Sequence, residues 1–260
     1  MRKLVVFALL LSSSVAFAEC SLLLGSSNAE YPPYLWRSAD SSATKLEGAA
    51  ALFMQRIGED IGLSIHTVYV GPWGRTQEEI FSGNLDLMTG GFFNEKRATQ
   101  VDYLYPAFLT TRSVVWINKN NPFVLNSYKD LIGRTGVTVI NNSFGQEFDH
   151  YAKANLRIFE VGSISQGFRM LEDERVDYLV YEEAPAEAYI TQYQFKNLKK
   201  LEPPVSKEKL YLAISKKSKC NTPELRQKLE QALLKAQQNH WAEQALKKAE
   251  AQWQALHATP

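Results

Sequence analysis

Ile80-Phe81-Ser82-Gly83-Asn84-Leu85-Asp86-Leu87-Met88 and Leu171-Glu172-Asp173-Glu174-Arg175-Val176-Asp177-Tyr178-Leu179 are two versions of one short text, 91 residues apart. In each, a helical stretch runs into polar residues, and an aspartate then opens an apolar strand. Working outward from the first copy, Ser21–Gly25 reads as a strand. Residues 46–61 carry Leu46, Ala49, Ala50, Phe53, Ile57 and Ile61 at helical spacing. Ile65–Val70 is β-branched and strand-like. Pro72 opens a helix that Gly83 stops, and Leu85–Thr89 and Ser113–Asn118 are apolar strands. The second copy sits in the same rhythm, with strand Thr135–Ile140, helix 144–155, strand Arg157–Val161, helix 164–173 and strand Val176–Tyr181. A late strand, Leu210–Ser215, precedes a helical tail from Thr222, where Asn221 and Glu224 have capping-box spacing. Strands alternating with helices predict an α/β fold with mostly parallel sheets, and the repeat predicts two similar lobes. Ligands of open α/β sheets sit beyond the carboxyl ends of the strands. The two copies therefore nominate Gly90-Gly91-Phe92 and Tyr181-Glu182-Glu183 as facing surfaces.

The chain begins Met1-Arg2-Lys3, continues with an apolar run Leu4–Leu11 and reaches Ala16-Phe17-Ala18. A basic start, a short apolar run and an A-x-A site predict a secretory signal peptide over 1–18, cleaved after Ala18. The run is shorter than the ~20 residues that span a bilayer as a helix. Glu19 before Cys20 excludes lipid attachment, which needs a small residue there. The expected location is the periplasm. Twenty-nine basic residues face 28 acidic ones, and removal of Arg2 and Lys3 turns the formal charge from +1 to −1. With no basic stripe, the sequence excludes a nucleic-acid partner. The two cysteines, Cys20 and Cys220, are either a disulfide or two buried thiols, and the oxidising compartment favours the disulfide.

Catalytic signatures are missing. His66, His150, His240 and His257 do not fall at metal-ligand spacing. There is no G-x-S-x-G, P-loop or G-x-G-x-x-G. Adjacent acidic pairs such as Glu78-Glu79 and Glu182-Glu183 read, by themselves, as solvated turns. We expect no enzyme activity, no metal and no cofactor.

Several short blocks occur in the order in which one family carries them. Tyr31-Pro32-Pro33-Tyr34 comes first, then Leu46-Glu47-Gly48 with the helix behind it. Gly71-Pro72-Trp73-Gly74-Arg75 follows and leads into Ile80–Asp86. Next come Asn94-Glu95-Lys96-Arg97 with Val101-Asp102-Tyr103 and Tyr105-Pro106, and then Asp130–Val137. The chain resembles the family 3 extracellular solute-binding proteins, of the kind that serve amino-acid ABC importers, over nearly all of its mature length.

The resemblance implies a two-lobed periplasmic binding protein-like fold of type II, with two hinge-crossing strands near Val115–Lys119 and Leu210–Ser215. Lobe one is expected over 19–117 and 209–260, lobe two over 118–208, and Cys20 and Cys220 then share a lobe. By the same resemblance Arg97 grips a ligand carboxylate, Tyr31 covers the ligand and Trp73 builds the same wall. Gly90 and Phe92 stand where amino-acid binders often carry hydroxyls. Asn141-Asn142-Ser143 falls at the loop that meets the carboxylate at a helix N-terminus, where free N–H groups favour an anion. Glu182 matches the acid that pairs with a ligand amino group, although many members have Asp there. Gly90, Phe92 and Glu182 depart from the ordinary amino-acid site.

The expected function is capture of a small carboxylate-bearing ligand, an amino acid or analogue, by lobe closure. The closed monomer is expected to dock on the membrane permease of an ABC importer or on a sensor. The alternatives are a cyclohexadienyl (prephenate/arogenate) dehydratase-like enzyme, to which Glu182 or Glu183 would lend a general acid, and an orphan sensory or adaptor domain.

Overall fold

The computed structural model describes residues 20–38 and 44–257; the signal peptide expected over 1–18 lies outside them. The chain runs β1 (Leu22–Ser26), β2 (Glu30–Tyr31), β3 (Leu35–Arg37), β4 (Leu46–Glu47), α1 (Ala49–Ile61), β5 (Ser64–Thr67), α2 (Trp73–Ser82), β6 (Leu87–Gly91), α3 (Glu95–Ala98) and β7 (Val101–Asn118). After a single 3-10 turn at Tyr128–Leu131 come β8 (Thr135–Val139), α4 (Gln146–Asn155), β9 (Arg157–Val161), α5 (Ile164–Glu172), β10 (Tyr178–Glu182) and α6 (Glu183–Tyr193). The chain closes with β11 (Leu198–Lys200), β12 (Ser206–Ser215), α7 (Pro223–Gln238) and α8 (Trp241–His257). No helix among the described residues is long and apolar enough to cross a membrane.

One sheet runs β5-β1-β6-β12-β7-β10-β8-β9, with β11 on β7. Read from either edge, three parallel strands are followed by a long antiparallel one: β5, β1, β6 and β12 on one side, β9, β8, β10 and β7 on the other. The two long strands pair with each other from Ser206↔Ser113 to Ser215↔Val101, with a register shift between Leu210 and Leu212. This is the two-lobed architecture expected from the repeat.

The repeat has a physical basis. The Asp86 carboxylate accepts the Leu24 N–H at 2.9 Å while Asp86 N donates to the Leu24 carbonyl at 2.8 Å. The Asp177 carboxylate accepts the Thr135 N–H at 2.7 Å while Asp177 N donates to the Thr135 carbonyl at 2.8 Å. Each aspartate thus ties the entry of one parallel strand to the next. Buried backbone groups need partners, and the same device meets that need twice.

Each half has its own core. In one, Phe53, Met54 and Ile57 of α1 pack with Leu23, Leu87, Leu212 and Leu229. In the other, Ile164, Phe168 and Leu171 of α5 pack with Val137, Leu179 and Trp116. Cys20 and Cys220 form a disulfide that joins the start of β1 to the segment before α7, the pairing the sequence favours over two buried thiols.

Several boundaries differ from the sequence reading. Leu46 and Glu47 are not helical; they pair with β3, and α1 begins at Ala49. Pro72 is the cap of α2 and not its first residue. The strands read at 85–89 and 176–181 begin two residues later, because Asp86 and Asp177 are spent on the pairing just described. The cap of α7 is Thr222, whose hydroxyl accepts the Leu225 N–H at 3.2 Å. Asn221 instead donates to Asp102 and to the Ser215 carbonyl, so the Asn221/Glu224 box does not form. The strand read at 113–118 is the last third of an 18-residue strand.

Candidate functional site

The ends of β6 and β10 meet across a cavity of about 30 Å³. It is lined from one half by Ser27, Asn28, Tyr31, Trp73, Gly90, Gly91, Phe92 and Arg97, from the crossing strand by Leu210, and from the other half by Asn142 and Glu182. The two surfaces nominated by the repeat therefore face one another. Seven of the nine residues expected at the site converge here: Tyr31, Trp73, Gly90, Phe92, Arg97, Asn142 and Glu182. Gln77 and Arg97 both donate to the Asn141 carbonyl across this cleft, so the lobes are closed on one another.

Arg97 is held from all sides. Asn94 caps the short helix α3 by accepting the Arg97 N–H at 2.7 Å. Arg97 as a whole is buried, 4% exposed. Its Nε donates to Gln77 Oε1 at 3.2 Å, Nη1 to the Phe92 carbonyl at 3.3 Å and Nη2 to the Asn141 carbonyl at 3.2 Å. Its Cζ lies 5.2 Å from the centre of the Trp73 ring. Burial lowers its pKa, an effect opposed by Tyr103, Asp149 and Glu182. The group stays charged, because arginine does not deprotonate in proteins. A guanidinium has five N–H donors. Three are accounted for, which leaves one on each terminal nitrogen, the number a carboxylate accepts.

Asn141 lies beside the cavity and joins it through its backbone. Its φ is 58°, and its carbonyl accepts from both Arg97 and Gln77, the latter at 3.3 Å. Ser143 is buried and turned away: its hydroxyl donates to Asp149, which also accepts the Phe144 N–H at 2.8 Å. Asp149, on α4, thus takes the Ser143 hydroxyl and the Phe144 N–H at this helix entry.

Glu182 is 2% exposed. Read as an adjacent pair, Glu182-Glu183 suggested a solvated turn; the structure corrects this. Consecutive residues at a strand end point to opposite sides, so Glu183 turns outward to Arg112 at 3.0 Å and to Lys200 while Glu182 turns into the cleft. Burial raises the Glu182 pKa to about 8, although its own backbone N–H, Asn142, Arg97 and Tyr31 oppose the shift. Glu182 Oε2, the Tyr31 hydroxyl and Asn142 Nδ2 find no hydrogen-bond partner of good geometry among the described residues. Asn142 and Tyr31 reach the Glu182 carboxyl as side-chain donors, so the three atoms face one another in one cavity, short of ideal geometry.

Contacts across the cleft hold this closed arrangement. Asn28 Nδ2 donates to the Tyr181 hydroxyl at 3.1 Å, which donates to the Glu30 carbonyl at 3.0 Å. The Glu30 carboxylate accepts the Ile164 N–H at 3.2 Å. Sequence reading missed Ser27, Asn28, Gln77 and Leu210. Ser27 and Asn28 follow β1 directly, so the rule of strand carboxyl ends applied to β1 would have found them. Gln77 lies one helical turn after Trp73 on α2. Leu210 carries no signal of its own.

Solved structures share this fold at low identity. An ancestral arginine-binding protein bound to arginine is 22% identical, with 88% of this chain and 97% of that chain covered and a TM-score of 0.73. The amino acid ABC transporter substrate-binding protein AbpA from Streptococcus pneumoniae, bound to L-arginine, is 14% identical, with 92% and 97% covered and a TM-score of 0.74. A histidine kinase sensor domain with similarity to periplasmic binding proteins is 19% identical, with 89% and 95% covered and a TM-score of 0.74. At such identities the likeness establishes the two-lobed fold alone. No curated protein matches the sequence. A family model matches residues 24–253, and the chain belongs to the bacterial extracellular solute-binding proteins, family 3.

Proposed function

We propose that this chain is a periplasmic binding protein that captures a small carboxylate-bearing ligand, an amino acid or an analogue of one, between its lobes. In this reading residues 1–18 are a signal peptide cleaved after Ala18. Lobe one is 19–117 with 209–260, lobe two is 118–208, and β7 and β12 form the hinge. The closed monomer hands its ligand to the permease of an ABC importer. The ligand carboxylate takes the two remaining N–H groups of Arg97, Tyr31 and Trp73 wall the ligand, and Asn142 and Glu182 meet it from lobe two. Gly90 and Phe92 contribute backbone and bulk.

The observation that carries this reading is the buried guanidinium of Arg97, with one N–H left on each terminal nitrogen, beside Tyr31, Asn142 and Glu182 in one cleft. A ligand shifts the open–closed equilibrium only through differential affinity, and here it would contact both lobes at once. Thermal-shift and calorimetric screens across amino acids, amines and small carboxylates test it. A hit at a hundred times its Kd adds about 2.7 kcal/mol to stability. The response should vanish in Arg97→Ala. Silence across all three classes would sink the proposal.

The protonated Glu182 carboxyl has the pKa range of a general acid, which favours the dehydratase-like alternative. Incubation with prephenate should yield no phenylpyruvate if the protein only binds.

A further inference from the structure

Gln77 is buried on α2, and both ends of its amide are engaged. Its Oε1 accepts Arg97 Nε at 3.2 Å, and its Nε2 donates at 3.3 Å to the Asn141 carbonyl in the other half of the molecule. The same carbonyl accepts Arg97 Nη2 at 3.2 Å. The turn that carries Asn141 is tied to its own half: the Ile140 N–H donates to the Val161 carbonyl at 2.9 Å and the Asn142 N–H to the Val139 carbonyl at 3.0 Å. Arg97 is tied to the first half, where the Phe92 carbonyl accepts its Nη1 and also the Tyr103 hydroxyl at 2.8 Å. Among the described side chains of the first half, Gln77 alone bonds both to the Arg97 guanidinium and to the second half.

Gly74 points to the same turn. It lies three residues before Gln77, on the same face of α2. A Cβ there would meet Asn141 Nδ2 at 3.4 Å and Ile140 Cγ2 at 3.8 Å, both across the cleft. Gly74 and Gln77 thus form a seat for the 140–142 turn. When the lobes part, Gln77 keeps Arg97 Nε, while Gln77 Nε2 and Arg97 Nη2 both lose the Asn141 carbonyl. We infer that Gln77 is a positioning residue that couples Arg97 to lobe closure. Its Oε1 fixes the plane of the guanidinium within the first lobe, and its Nε2 draws the Asn141 turn shut over it. The inference rests on the reading of Arg97 as the carboxylate anchor and of β7 and β12 as the hinge.

The test is small-angle X-ray scattering of the processed, disulfide-bonded chain without ligand, which reads the ratio of open to closed lobes, with melting curves alongside. Gly74→Leu pushes a side chain into the seat and supplies an open reference. Gln77→Met removes both polar ends at similar bulk. Gln77→Glu keeps an acceptor for Arg97 Nε but has no donor for the Asn141 carbonyl. Both Gln77 variants should raise the open-to-closed ratio about fivefold over the wild type, the worth of one hydrogen bond. A role confined to fold stability would lower the melting temperature and leave that ratio unchanged, which overturns the inference. Opening in Gln77→Met but not in Gln77→Glu also overturns it, because support of Arg97 would then be the whole effect. In both cases opening by Gly74→Leu leaves the hinge reading standing, and the carboxylate reading is untouched because no ligand is present. If no variant differs from the wild type, the hinge reading fails along with the inference.

Discussion

The segments 73–91 and 164–182 can be laid over one another at an offset of 91 residues, helix on helix and strand on strand. Asp86 falls on Asp177, and the two carboxylates perform the same backbone pairing. Gly83 falls on Glu174, and both are left-handed, with φ of 84° and 57°. Gly90 and Gly91 fall on Tyr181 and Glu182. The skeleton repeats and the cleft ends do not. Gly90 offers a bare backbone at a φ of 140°, which side chains rarely adopt. Glu182 offers a buried carboxyl. The sheet scaffold is thus set by the aspartate device and the left-handed turn, while recognition chemistry is free to differ between lobes.

The largest difference between the halves is covalent, since the Cys20–Cys220 bond lies wholly in the first. A cross-link over 200 residues is worth about 5 kcal/mol in the chain-entropy model. Reduction should lower global stability by that order and should speed hydrogen exchange in β1, β6 and α7 before β8 and β10. Uniform loosening would remove the contrast.

The next effect separates the two cleft ends. The folded pKa of Glu182 is raised from 4.5 to about 8. The native state therefore holds a proton that the unfolded chain has released. The associated stability is fully present below about pH 4.5 and is lost as pH rises through about 8. A tenfold difference in proton affinity between the two states corresponds to about 1.4 kcal/mol. Lobe opening hydrates the carboxyl and limits the loss to about 2–3 kcal/mol. Melting curves from pH 5 to 9 should show this decline, and Glu182→Gln should flatten it.

The aspartates sharpen the likeness. Asp177→Ala should cost about 1–2 kcal/mol by stranding the Thr135 N–H. Asp86→Ala should cost about 2–3 kcal/mol, because Asp86 also accepts the Ser218 hydroxyl at 2.6 Å, a shorter and less exposed bond than the 3.4 Å one Asp177 accepts from Asn121. Denaturant midpoints measure both, and equal losses would deny the extra bond its value.

The smallest pair concerns the turns. A Cβ on Gly83 would meet the Lys217 carbonyl at 2.6 Å, so Gly83→Ala should destabilise by about 1–3 kcal/mol. Glu174 already carries a side chain in the left-handed region, and Glu174→Gly should gain about 0.5–1 kcal/mol. The same denaturant series reads both signs.

How much was legible in the sequence follows from where the stabilising partners lie. The Asp86/Asp177 repeat and most strands were readable because their signals are local. The first two thirds of β7 were not: Asp102, Tyr103 and Thr110 to Arg112 break any apolar alternation, and the strand exists because β12 pairs along it. Leu46 kept the helical spacing of α1 yet pairs with β3, a tertiary contact that overrides periodicity. Helix α6 went unread because its buried face is short, with Pro185, Ala186 and Tyr189. At the site, Arg97 and Glu182 stood out as charged residues in recognisable blocks. Gln77 and Leu210 did not, because their roles arise only when α2 and β12 reach the cleft.

Everything proposed for the cleft depends on Arg97 being a ligand anchor and not merely a structural cation. A crystal structure of the protein with a carboxylate ligand found by screening is the sharpest check. One carboxylate oxygen should lie within hydrogen-bond distance of Arg97 Nη1 and the other of Nη2, with Asn142 and Glu182 closing over the far end. A ligand seated away from Arg97, with the guanidinium bonded only to Gln77, Phe92 and Asn141, would contradict it.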